Sequence, residues 1–147
     1  MKKDLHIKHE GFTLVELLVV VAIIGLLSGA VVISVRNIKA KARDAERVSE
    51  INSIVTVLVL YHNDYNLYPI FDGYITASDS FSTTLEATEY ISNIPTDPLE
   101  TDSTSCGVLT GHHYYYQSID GRDYILGYCL ETNSMHGLSQ GENYLSP

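Results

Sequence analysis

Residues Phe12 to Val35 read FTLVELLVVVAIIGLLSGAVVISV, 24 residues with one charge, Glu16. A helix of that length rises about 36 Å, enough to cross a hydrocarbon core of about 30 Å with some tilt. Lipid satisfies no backbone hydrogen bond, so a spanning segment of this kind reads as helix. It does not read as an ordinary cleavable export signal. The apolar run continues past the small triplet Ser28-Gly29-Ala30 to Val35, and it carries a carboxylate near its start. A plain single-pass anchor remains one reading, and Glu16 argues for more. An acid at the bilayer centre costs about 3 kcal/mol on insertion scales, less near the interface. Nothing within the apolar run supplies a positive charge. A cut after Gly11 would create an α-amino group on Phe12, one helical turn before Glu16. That amine can pair within its own chain, or with Glu16 of a neighbour, where it sets the axial register of an assembly. The alternative is a carboxylate that snorkels to the headgroups.

Working outward, residues 1–11 form a short leader with Lys2, Lys3 and Lys8. Residues 12–35 are the membrane or filament-core half of a helix, and residues 36–66 its amphipathic half. In the second half Ile38, Ala42, Ala45, Val48, Ile51, Ile54, Val55, Leu58 and Tyr61 or His62 follow three- and four-residue spacing. No Gly or Pro interrupts Val31 to Leu67, so one helix is expected from about Phe12 to about Tyr65, ended by Tyr68-Pro69. Residues 67–147 form a small outer domain. Asp72-Gly73 and the run from Thr76 to Thr84 read as a loop, and Leu85 to Ile91 as a short helix capped by Thr83 or Thr84. Ile94-Pro95-Thr96-Asp97-Pro98-Leu99 is a rigid turn. His113 to Ser118, alternating Tyr114 and Tyr116 with His113, Tyr115 and Gln117, and Asp123 to Leu130 read as strands joined through Asp120-Gly121. A final strand lies near Leu138 or Tyr144. The fold class is α+β: a long N-terminal helix with a small antiparallel sheet on its C-terminal half.

Charge is segregated. The net charge is −9, yet eight of the nine basic residues precede Val48, and Arg122 alone faces thirteen acids after it. Phosphate contacts need Lys and Arg, so an acidic outer domain argues against nucleic acid as a partner. The cluster Arg36, Lys39, Lys41, Arg43 and Arg47 can meet lipid headgroups or acidic surfaces of neighbouring subunits, or form a solvated helix face. Bases flank the apolar run on both sides, so charge does not orient it. The acidic domain and its two cysteines favour export of the C-terminal side. Cys106 and Cys129 frame no zinc motif. Paired, they close a loop of about 24 residues, worth about 3 kcal/mol on the chain-entropy model. The other reading is two buried thiols. Gly25-x-x-x-Gly29 fits a small-residue helix-packing motif, or glycines that are merely common in such helices.

Lys8-His9-Glu10-Gly11-Phe12-Thr13-Leu14-Val15-Glu16 resembles the prepilin signal of type IV pilins and type II secretion pseudopilins. Tyr61 to Pro69, Pro95 to Pro98, and Tyr128 to Glu131 resemble the same family, most closely over residues 8–69. The resemblance implies the pilin fold and a structural rather than enzymatic role in a type II secretion pseudopilus or a type IV pilus, serving secretion, adhesion or motility. It implies cleavage between Gly11 and Phe12 by a prepilin peptidase, N-methylation of Phe12, and an assembly-register role for Glu16. The implied partners are copies of this chain in a homo-oligomeric filament, other pilins or pseudopilins, and an inner-membrane assembly platform. Membrane lipid surrounds the helix before assembly, and the filament is periplasmic or extracellular afterwards. A minor or tip subunit that binds a ligand, and a static membrane-anchored domain, are the alternatives. Many family members carry a proline where this chain has Ile33, so local unwinding there rests on Gly25 and Gly29.

Catalytic and metal signatures are lacking. His112-His113 point to opposite faces of a strand and make poor co-ligands. Major pseudopilins bind calcium in a C-terminal loop, and Asp97, Glu100, Asp102, Asp120 and Asp123 supply oxygen ligands here. The Gly-rich acidic loop of that site, with its closing Asp and Trp, is missing, so no cofactor is expected, with calcium on these carboxylates as the alternative. The eleven tyrosines read as amphipathic core and subunit contacts.

Overall fold

The computed structural model describes residues 11–99, 106, 109 and 113–147, with backbone alone for residues 30–34. Helix α1 runs Leu14–Tyr65. It begins two residues later than the apolar pattern suggests, because Thr13 caps it. It ends at Asn66, whose φ of 56° places it in the left-handed region and whose N–H donates to the His62 carbonyl at 2.8 Å. An Asn in that conformation terminates a helix by itself, so Tyr68-Pro69 follows the stop rather than making it.

The chain divides into two units between Ile38 and Lys39, and α1 contributes to both. In the second unit, β1 (Phe71–Tyr74), β2 (Tyr115–Ser118), β3 (Ile125–Leu130) and β4 (Gly141–Leu145) form an antiparallel meander in sequence order. Strand β1 occupies the segment that reads as loop around Asp72-Gly73, because Gly73 pairs Tyr116 across the ladder. The short helix α2 is Ser80–Glu86, not Leu85–Ile91. Asp79, rather than Thr83 or Thr84, is its cap, accepting from the Ser82 N–H at 2.8 Å and the Thr76 N–H at 2.7 Å. A carboxylate that collects two backbone donors outcompetes a threonine hydroxyl. Strands β2 and β3 are shorter than the alternation suggests, and residues Ile119 to Tyr124 form the turn. There Gly121 has a φ of +75°, and an added Cβ would meet the Tyr68 carbonyl at 3.0 Å, so this position takes glycine.

Alternation along the strands divides the domain into two faces. Tyr114, Tyr116, Leu126, Tyr128 and Leu130 face α1 and pack with Ile51, Ile54, Val57 and Leu58. Buried tyrosine hydroxyls need acceptors. Tyr116 donates to the Pro69 carbonyl at 2.9 Å, and Tyr114 donates to Glu50. On the opposite face Cys106 is bonded to Cys129, with Cα atoms 5.8 Å apart. The pair and Leu109 form a second buried cluster against Tyr74 and Tyr115. Gly127 lies beneath it: a Cβ there would meet the Tyr144 ring at 2.9 Å.

Upstream of Val48 the inward face of α1 is charged. Ile38, Ala42 and Ala45 are exposed, while Asp44 and Arg47 are fully buried. Arg47 donates through Nε to Asp97 Oδ2 at 2.6 Å and through Nη2 to Oδ1 at 3.0 Å. Its Nη1 reaches Glu131 at 2.7 Å and Asp44 at 3.0 Å. Arg43 adds a bond from Nε to Glu131 at 2.7 Å. Asp44 in turn accepts from the N–H groups of Glu131 and Thr132, both at 2.8 Å. Two members of the basic cluster are thus internal ties rather than lipid or neighbour contacts. A guanidinium tolerates burial when its planar fork is matched bidentately. Among the described residues no buried side-chain nitrogen or oxygen lacks a partner.

Arg47→Leu is expected to cost about 3–5 kcal/mol, because it leaves Asp44 and Asp97 buried without their cation. A lowered denaturant midpoint of the full chain in detergent measures this. The bond from Arg43, helped by Arg47 and opposed by burial, holds the Glu131 carboxyl down at about 2, against an ordinary value of 4.5. A depressed folded-state value means that this stabilisation is complete above pH 4.5 and is lost as pH falls towards 2. Thermal unfolding midpoints should fall through that window, and fall less steeply for Glu131→Gln.

Candidate processing and assembly site

Gly11 and Phe12 lie outside any helix and are exposed, Phe12 at 74%. Thr13 ends this non-helical lead-in. Its carbonyl accepts the first helical bond, from Leu17 N–H at 3.2 Å. Its N–H and hydroxyl both donate to Glu16 Oε2, at 2.9 and 2.7 Å, and its Oγ1 accepts from the Glu16 N–H at 3.3 Å. This is a reciprocal capping box, which satisfies donors that a helix start leaves free. Both donors converge on one carboxylate oxygen, and among the described residues no bond reaches the other. The pattern Thr-x-x-Glu is the signal that reveals this role of Thr13.

Past the cap, the helix is apolar on every side. Leu14 to Leu27 carries large aliphatic side chains with exposures from 44% at Val20 to 78% at Leu14 and Leu26. A helix apolar all round needs a cover of lipid or of other helices. Among the described residues no helix is long and apolar enough to cross a membrane. Side chains are described to Gly29, and Leu14–Gly29 rises about 24 Å, short of a hydrocarbon core of about 30 Å. An added Cβ at Gly25 or Gly29 would meet nothing within 4 Å, so no contact among the described residues needs either glycine to be small. Ser28 satisfies its hydroxyl on the Ile24 carbonyl at 2.7 Å.

The remaining candidate residues lie elsewhere. Cys106 and Cys129 sit on the outer face of the sheet. Asp97 is engaged by Arg47, and Asp120 and Asp123 lie in the turn between β2 and β3. Glu100 and Asp102 are outside the described residues, as are His112 and the leader through Glu10. Among the described residues no group of three metal-binding side chains gathers. His113 packs against the Tyr74 ring, with centroids 5.8 Å apart.

Three comparisons bear on this site. A family model for the prokaryotic N-terminal methylation motif matches residues 7–32. The type II secretion system core protein G of Pectobacterium carotovorum subsp. carotovorum is 35% identical over 101 residues, 65% of this chain and 65% of the relative. The protein of that name from Vibrio cholerae is 34% identical over 100 residues, 65% of this chain and 68% of the relative. That from Escherichia coli K12 is 32% identical over 107 residues, 65% of this chain and 70% of the relative. The chain thus spans slightly less than two thirds of the first relative and slightly more of the other two. No solved structure matches.

Thr13→Ala should free the helix start, at a cost of about 0.5–2 kcal/mol typical of a lost cap, while Thr13→Ser keeps it. Amide hydrogen exchange of the full chain in detergent should quicken at Val15 to Leu17 in the first variant alone.

Proposed function

The chain belongs to the family of type II secretion system core proteins G, and from that membership we propose that it is a structural subunit of a type II secretion pseudopilus. One observation carries the proposal: the Leu14 to Gly29 part of α1, apolar on every side with Glu16 as its one charge, follows an exposed, non-helical Gly11-Phe12 junction.

The apolar run, continuing in sequence to Val35, holds the precursor in the inner membrane with its C-terminal domain exported. Glu16 is tolerated there because Thr13 supplies two donors to its carboxylate. A prepilin peptidase cuts between Gly11 and Phe12, where glycine offers no side chain to hinder approach and no helix shields the bond. The new Phe12 amine, N-methylated, is a charged donor. An ammonium paired with a carboxylate adds attraction between two full charges to the hydrogen bond, so the amine of one subunit can recruit Glu16 of the next. Helices then bury their apolar surface against each other in place of lipid, with Gly25 and Gly29 allowing close backbone approach. Other pseudopilins and an inner-membrane platform are the partners of this step. The role is packing and transport of force, not catalysis.

Gly11→Val should abolish conversion to the faster-migrating mature form on a denaturing gel, and with it any sedimentable polymer. Glu16→Ala should be processed at the normal rate and yet yield little polymer. An unprocessed wild-type chain that forms no polymer would leave only a static membrane-anchored domain, and polymer unaffected by Gly11→Val would overturn the role given to cleavage.

A further inference from the structure

Among the described residues, Cys106 and Leu109 cover one part of the outer face of the sheet. The Cys106–Cys129 bridge brings Leu109 over Gly127, and the Leu109 N–H donates to Glu142 at 2.8 Å. Beyond that cover, a trough of about 500 Å³ lies over Tyr115, Gln117, Ile125 and Tyr144. A second hollow of about 360 Å³ shares Gln117 and Ile125 and extends to Asp120 and Asp123. The floor is apolar, with Ile125 43% and Tyr144 48% exposed, and Ile119 stands beside it at 77%. The rim is acidic. Asp72 is kept charged by donation from the Tyr115 hydroxyl at 2.6 Å and from Gln117 at 3.1 Å. Asp120 and Asp123 stand at the far end, offset only by Arg122, which is 3.8 Å from Asp120.

An acidic rim around an apolar floor asks for an apolar stripe flanked by bases. Arg43 and Arg47 are consumed by internal carboxylates. Arg122 belongs to the rim itself. The described bases left over are Arg36, Lys39 and Lys41, all exposed and without an ion pair among the described residues. Beside them in sequence are Val35 and Ile38, 43% and 64% exposed, and Ala42, also exposed. At 3.6 residues per turn, Val35, Ile38 and Ala42 form one stripe, with Lys39 beside it and Lys41 and Arg36 on its two flanks. We propose that the trough receives this stripe of α1 from a second copy of the chain, with Lys39 and Lys41 set against Asp120, Asp123 and Asp72. The inference rests on the filament reading and adds to it a second, charge-matched contact outside the apolar helix run.

The test uses the full chain, produced with its secretion machinery as two differently tagged copies, one with Ile38→Cys and the other with Ile125→Cys. A bismaleimide reacts with these two thiols, since Cys106 and Cys129 are bonded. The expected result is a cross-linked species carrying both tags. Lys39→Glu with Lys41→Glu on the first copy should lower its yield about tenfold, because like charges then meet at the rim. Asp120→Lys with Asp123→Lys on the second copy should restore it. Wild-type polymer without the mixed cross-link overturns this contact and leaves the filament reading standing. So does a yield indifferent to charge reversal, or cross-linking of the Ile125→Cys copy to a different protein. Absence of wild-type polymer overturns both.

Discussion

The outer domain depends on one guanidinium. Arg47 is wholly buried, and it ties together three segments far apart in sequence: its own helix through Asp44, the Pro95–Pro98 turn through Asp97, and the end of β3 through Glu131. Burial by itself disfavours the charged guanidinium, but bonds from Asp97 and Glu131 outweigh it, so Arg47 stays firmly protonated. Apolar packing would hold a sheet against a helix, but it is tolerant of sliding. The bidentate fork between Arg47 and Asp97 is not, and neither is Asp44, which collects the two N–H groups after β3. Together they set where along α1 the sheet sits. The tyrosine core of Tyr114, Tyr116 and Tyr128 then packs at a predetermined height against Ile51, Ile54 and Leu58.

The helix start uses a weaker form of the same chemistry. Asp44 is saturated: backbone donors, the Thr132 hydroxyl and Arg47 all reach it. Among the described residues Glu16 has two neutral donors, both on one oxygen. That contrast follows from position. A carboxylate inside a folded domain must be fully paired, because leaving it otherwise costs several kcal/mol. One at the head of an exposed helix can keep an oxygen in reserve for a partner that arrives later.

Much of this was legible in the sequence, and the reasons for the misses differ. The long helix was visible because a largely apolar run of 24 residues and a later three-four periodicity are strong signals. The tyrosine strands were visible because Tyr114 and Tyr116 alternate with polar neighbours. Strand β1 was not, because Phe71-Asp72-Gly73-Tyr74 carries turn residues and is a strand only by pairing with β2. The inward turn of Arg47 was hidden for a related reason. A basic residue on a helix reads as solvated unless its acids are known, and Asp97 and Glu131 lie 50 and 84 residues away. Thr13 is different: its Thr-x-x-Glu signal is local, but the membrane cost of Glu16 points to a cation, the Phe12 amine, rather than to the neutral residue three places before it.

The distribution of cations gives the last step. The described chain has six bases, and the fold spends them unequally. Arg43 and Arg47 are enclosed, where bidentate geometry favours arginine over lysine. Lys39 and Lys41, on the helical turn before them, remain in solvent. A lysine ammonium is a strongly hydrated point charge on a flexible stem, suited to contacts that form and break rather than to a fixed core. The change from Lys39 and Lys41 to Arg43 and Arg47 therefore marks, within about two helical turns, the passage from a surface that stays open to partners to one that the domain closes for itself.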